Sequence, residues 1–151
     1  SHAATQGLAI DYRATTAEAL RDAGARLDAV VAMEVVEHVP DRPTFLATVA
    51  ALARPGAPVV LSTLNRTAKS WAVAIVGAEY VLGWLPRGTH DWRRFPTPEE
   101  VGREIAGAGL VEVDRRGMVY DPLAGTWALS SRDLSVNYIV TAVKDTEEET
   151  R

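Results

Sequence analysis

The sequence predicts an α/β domain organised around a parallel sheet. Two short apolar runs, "LDAVVAME" at 27–34 and "APVVLSTLN" at 57–65, flank one amphipathic segment. Continuous apolar runs of this length read as strands covered on both faces, and a strand, helix, strand order makes the helix a crossover between parallel neighbours. A third observation is the plainly punctuated helix "TPEEVGREIAGAG". Thr97 stands as its N-cap, Pro98 at the first helical position, acids in the first turn and glycines at the end.

Taken in order, "GLAIDYR" alternates and follows a glycine, so residues 7–13 read as a short strand. A helix follows from Thr16 to about Ala23, capped by Thr15 or Thr16. Between Asp41 and Arg54, Phe45, Leu46, Val49, Leu52 and Ala53 fall at helical spacing, with an acid at the start and "RPG" at the end. After Asn65 comes "RTAKSWAVAIVGAEYVLGWLPRGTHDWRRF", a helical run rich in Trp and aliphatics and longer than a connection requires, which reads as an insertion over about 67–94. The remainder, "LVEVDRRGMVYDPLAGTWALS" and "VNYIVTAVK", reads as strands around turns at Asp121-Pro122 and Ala124-Gly125. Tyr120 and Asn137 read as core or turn residues.

A chain of 151 residues suits one compact domain. Hydrophobic residues make up 47% and charged residues 24%, an ordinary globular balance. The net charge of -4 gives no basic field, so nucleic acid is not an expected partner. The absence of cysteine rules out disulfides and thiolate metal sites, leaving His, Asp and Glu as strong ligands. The opening "SHAATQ" has no signal-peptide pattern and no initiator methionine, so a fragment is expected, and the acidic end 145–151 reads as a disordered tail.

Open parallel sheets bind ligands beyond the carboxyl ends of their strands, beside a glycine-rich turn after the first strand and an acid after the second. Neither is present here. Gly107 to Gly109 lies where a helix ends, so it reads as a helix C-cap. The order therefore looks like one that starts at the third strand of a longer domain. What the chain does carry, just past its first buried strand, is Glu34, Glu37 and His38. If the backbone turns helical there, the three share one face and suit a divalent cation. From spacing alone the commoner arrangement is a solvated turn of acids near a helix start, and His38 acting alone as a general base is the other alternative.

"VVAMEVVEHVPD", the long string from 62 to 95 ("STLNRTAKSWAVAIVGAEYVLGWLPRGTHDWRRF") and "VNYIVTAVK", in this order and spacing, resemble the ubiquinone biosynthesis O-methyltransferase family, from about His2 to Lys144. The resemblance implies a Rossmann-like class I methyltransferase sheet, here lacking its first strands and glycine-rich turn. It implies a methyl transfer from S-adenosylmethionine to phenolic hydroxyls of polyprenylated phenol and demethylubiquinol intermediates. By position, Met33 would contact S-adenosylmethionine, and Glu34, Glu37 and His38 would bind a divalent metal, magnesium, with His38 as the proton acceptor. Another small-molecule methyltransferase, or a membrane-associating fragment without activity, is the alternative.

In the insertion, Trp71, Ile75, Leu82 and Leu85 share one helical side, but apolar residues including Trp84 spread round the rest. With Lys69, Arg87, Arg93 and Arg94 at its borders, the pattern fits an interfacial helix on anionic headgroups, or else a lid packed on its own domain. The resemblance favours the membrane-facing reading. It also implies a peripheral place on the bacterial inner membrane, or the mitochondrial matrix face in a eukaryote, and other proteins of ubiquinone biosynthesis as partners. Asn65, Arg66, His90 and Asp91 are placed to touch substrate, His90 and Asp91 alternatively forming a turn that caps the insertion.

Overall fold

The computed structural model describes residues 2–73, 91–121 and 123–146. They form α1 (His2–Thr5), α2 (Ala17–Asp22), β1 (Val30–Met33), α3 (Arg42–Leu52), β2 (Pro58–Leu64), α4 (Ala68–Ser70), α5 (Pro98–Gly107), β3 (Leu110–Asp121), β4 (Thr126–Ser130) and β5 (Asn137–Lys144). A 3-10 turn at Trp92–Arg94 precedes α5.

The main helices start where their caps direct. Thr16 accepts from the Ala19 amide, and Asp41 accepts from the Thr44 amide at 3.1 Å with a proline in the first turn of α3. At α5 the box is reciprocal, Thr97 taking the Glu100 amide and Glu100 taking the Thr97 amide. Past its end, Gly109 adopts φ +72°, the left-handed conformation that lets the chain leave the helix and enter β3.

The five strands lie in the order β1-β2-β5-β3-β4. β1 and β2 are parallel, as expected of a crossover pair, from Val30 opposite Val59 to Met33 opposite Ser62. The rest of the sheet is antiparallel, so the expectation of a parallel sheet holds only for its first pair. A tight turn joins β3 to β4, which forces an antiparallel hairpin, and the last strand inserts between β2 and β3 rather than adding at an edge. Apolar pattern marks strands; it does not specify which neighbours they choose.

Two expectations need correction. Residues 7–13 form no strand, and Leu8, Ile10 and Tyr12 are exposed. No described strand lies alongside them to supply ladder hydrogen bonds, and alternation alone cannot hold a strand. β1 is not covered on both faces either. Ala32 is buried, but Val31 on the opposite face is 65% exposed. β1 is an edge strand, and among the described residues the buried cluster that joins α3 and α5 to the sheet includes Ala32 but not Val31.

That cluster gathers Leu46, Val49 and Ala50 of α3, Val101 and Ile105 of α5, and the inward residues of the central strands. β5 shows the period of two, with Tyr138, Val140 and Ala142 buried. The Tyr138 hydroxyl donates to the Pro96 carbonyl at 2.9 Å, so this large side chain buries without an orphaned donor.

The connection from β4 to β5 is stitched to the end of β2. Asn65 donates its backbone N–H to the Val136 carbonyl and its side-chain Nδ2 to the Leu134 carbonyl at 2.8 Å, and Thr67 donates to the Ser135 carbonyl. Gly117 makes this possible. A Cβ there would lie 1.7 Å from the Asp133 carbonyl oxygen, a backbone atom that cannot step aside. Gly117→Ala is therefore expected to displace the 131–136 loop and cost about 2–3 kcal/mol in urea unfolding, the scale of overpacked sites. An unchanged midpoint would contradict the close approach.

Candidate active site

β5 runs antiparallel to both β2 and β3, and β1 runs parallel to β2, so β1, β2 and β3 all end at one edge of the sheet. There, where ligands gather in sheets of this class, β1 delivers the turn Glu34–Val39. The turn is not helical, so Glu34, Glu37 and His38 are not arrayed on one helical face. Glu34 takes φ +54°, a conformation that side-chain-bearing residues rarely adopt and that persists only where surroundings impose it.

Ser62 of β2 imposes it. The Glu34 amide donates to the Ser62 carbonyl at 3.1 Å and to the Ser62 hydroxyl at 3.0 Å, while that hydroxyl donates to Glu34 Oε1 at 2.8 Å. The next residue holds the second acid, Thr63 Oγ1 donating to Glu37 Oε2 at 2.9 Å. Glu37 is only 3% exposed, and its other oxygen, Oε1, is buried with no hydrogen-bond partner. Burial pushes its carboxyl up to about 7, and the neighbouring Glu34 charge pushes the same way against the Thr63 bond. An orphaned buried acceptor costs roughly 1–3 kcal/mol, which singles out Glu37 as a candidate functional group.

The metal expectation finds no support in the described residues. Among the described residues no group of three or more His, Asp or Glu side chains lies close enough to hold a cation. The two acids approach one another, but His38 turns to the surface and does not join them. The donors present therefore do not fit a three-ligand metal site in this structure.

The remaining candidates fall as follows. Met33 ends β1 with its side chain 43% exposed at the carboxyl edge. Asn65 is buried and committed to the Leu134 carbonyl, and Arg66 is committed to Glu100, itself within 3.9 Å of Arg42. Asp91 accepts from the Arg93 amide at 3.0 Å, capping the 3-10 turn. Trp71 is 49% exposed at the start of the insertion. Ile75, Leu82, Trp84 and His90 lie outside the described residues, and no described helix is long and apolar enough to cross a membrane.

Sequence reasoning missed Ser62 and Thr63, although two hydroxyls interrupting a buried strand were a signal. It also misplaced Tyr120, which is half exposed and packs its ring 5.1 Å from that of Trp127. Together with Val73 and Met118 they line an apolar cavity of about 260 Å³ at the same edge of the sheet.

Residues 3–114 match a family model described as a methyltransferase domain. A ubiquinone biosynthesis O-methyltransferase of Cereibacter sphaeroides (strain KD131 / KCTC 12085) is 57% identical over 145 residues, 96% of this chain and 59% of the relative. One of Dinoroseobacter shibae is 56% identical over 143 residues, 95% of this chain and 58% of the relative. The chain thus spans less than two thirds of the length of these relatives. A solved S-adenosylmethionine-dependent methyltransferase of Thermotoga maritima superposes with a TM-score of 0.61 at 10% identity, covering 95% of this chain and 67% of that one. The resemblance read from the motifs is borne out, and the fold is the α/β class I methyltransferase fold with a mixed sheet.

The state of Glu37 has a thermodynamic signature. A carboxyl raised from 4.5 to about 7 on folding keeps its proton in the folded state after the unfolded chain has lost it. Stability therefore falls as pH rises through that window, by at most about 1.4 kcal/mol per pH unit. Glu37→Gln, which keeps the shape and removes the titration, is expected to flatten this slope in urea unfolding between pH 5 and 7.5. Parallel profiles for the two proteins would contradict the raised value.

Proposed function

The chain belongs to the methyltransferase domain family, and from that premise we propose that the protein is an S-adenosylmethionine-dependent O-methyltransferase of ubiquinone biosynthesis. Its acceptor is the phenolic hydroxyl of a polyprenylated phenol or demethylubiquinol. The observation that carries this reading is 57% identity to a relative of that name along 96% of the chain. The placement of an acid pair at the carboxyl edge of the sheet supports it.

S-adenosylmethionine, when bound, supplies an electrophilic methyl group. Met33, exposed at the end of β1, offers an apolar surface on which the donor can rest. The acceptor hydroxyl must lose its proton as its oxygen attacks, and a group titrating near neutrality is best matched to take it. Glu37 is such a group: a buried carboxyl pushed up to about 7, with Glu34 beside it and Oε1 outside the Thr63 bond. His38, exposed on the same turn, is the alternative acceptor. Ser62 and Thr63 keep the acids from relaxing away, so the protein's contribution is orientation and one tuned proton acceptor. The donors described at this turn do not form a three-ligand set for a divalent metal.

The reading extends to a peripheral membrane location facing anionic lipid. Its support is the apolar insertion with Arg87 and Arg93 at its far border and Trp71 exposed at its root, Lys69 being paired with Asp133. The proposed partners there are the membrane surface and other proteins of ubiquinone biosynthesis.

The test is methyl transfer by the full-length protein from labelled S-adenosylmethionine to a prenylated catechol. The expected product is the methyl ether, with kcat lowered about 10²-fold or more in Glu37→Gln, the scale of losing a proton acceptor. No transfer to any phenolic acceptor would refute the reaction, and full activity of the variant would refute the role of Glu37.

A further inference from the structure

The turn that carries Glu37 and His38 is held from inside the sheet by Ser62 and Thr63, and from outside by one guanidinium. Arg94 Nη2 donates to the Val39 carbonyl at 3.0 Å and reaches the His38 carbonyl at 3.3 Å. Arg94 comes from a distant place in the sequence, the far root of the insertion, more than fifty residues on.

That root is a firm post. Phe95, the next residue, is 1% exposed, and the Pro96 carbonyl after it takes the buried Tyr138 hydroxyl from the middle of the sheet. On the other side, the Trp92 indole donates to the Thr67 carbonyl at 2.9 Å, stapling the end of the insertion to its beginning. Within the post, Asp91 caps the 3-10 turn that presents Arg94. Three points therefore fix the guanidinium's base, while its head grips two successive carbonyls of the candidate catalytic turn.

We propose that Arg94 is a positioning residue, clasping the Glu37–His38 turn to the root of the insertion so that its proton acceptors stay aimed at the methyl acceptor. The clasp rests on the reaction proposed above for its consequence in turnover. Its bonds are solvent-exposed, so they add little to global stability, and their effect is local. It also means that the insertion and the turn share one anchor, which lets a displacement of the insertion's root reach the site without passing through the core.

Two measurements on Arg94→Ala test this. In the full-length protein, hydrogen exchange at the His38 amide, which donates to the Val35 carbonyl at 2.9 Å, is expected to accelerate about tenfold while Val59 and Leu61 amides in β2 are unchanged. Unchanged exchange at His38, or equal acceleration throughout, overturns the clasp. In the full-length enzyme, kcat is expected to fall about tenfold with the KM for S-adenosylmethionine within twofold, the scale of a misaligned reacting group, and Arg94→Lys to recover part of the loss. A wild-type kcat in Arg94→Ala overturns the positioning role. Should the wild-type enzyme transfer no methyl group, the proposed reaction fails, and the exchange result still decides the clasp.

Discussion

Two successive hydroxyls on β2 hold the turn at the carboxyl edge of this sheet. Ser62 grips Glu34 through its backbone and its carboxylate, and Thr63 grips Glu37. The grip depends on register, since Met33 lies opposite Ser62 in the parallel ladder and the chain turns one residue later. A slip of one residue would swap the faces of every side chain on β1 and pull Ala32 out of the core. The same register therefore buries the core and aims the acids. Glu34's left-handed backbone and Glu37's unpartnered oxygen are costs that this register imposes, and the crossover helix α3, capped by Asp41, begins shortly after the turn at Arg42.

The reading of the sequence was clearest where local chemistry decides the outcome. Caps at Thr16, Asp41 and Thr97 act within a few residues, so α2, α3 and α5 begin where their side chains direct. The parallel pair β1 and β2 follows from a single helix between two apolar runs, which is also nearly local. Strand order is not. Nothing in "VNYIVTAVK" states that β5 will insert between β2 and β3, because that choice depends on pairing energies across eighty residues of chain. "GLAIDYR" alternates well enough for a strand and forms none, since a strand exists only with a partner.

The site divides along the same line. The spacing of Glu34, Glu37 and His38 was visible, and the turn that carries them lies at the carboxyl edge of the sheet. Convergence of the three assumed a helix, and a left-handed residue at Glu34 replaces the helix with a turn that separates His38 from the acids. Asn65 and Arg66 likewise stand past the end of β2 as expected, yet their side chains are spent on the 131–136 loop and on Glu100. Position along a strand was legible; the partner each side chain would find was not, because Leu134 and Glu100 reach these places only through the folded topology.

What remains at the edge is a half-open arrangement: an exposed methionine, a buried acid near neutrality, and an arginine clasp from the insertion. If methyl transfer takes place at the end of β1, the donor must touch Met33. The chain has two methionines, Met33 at the end of β1 and Met118 beside the apolar cavity on β3, which makes them paired reporters. The decisive measurement is the NMR of methionine methyl groups in the full-length protein titrated with S-adenosylhomocysteine. The Met33 resonance should move at saturating ligand while Met118 holds its position. A Met33 resonance that stays fixed while ligand binds would contradict a transfer site at the end of β1.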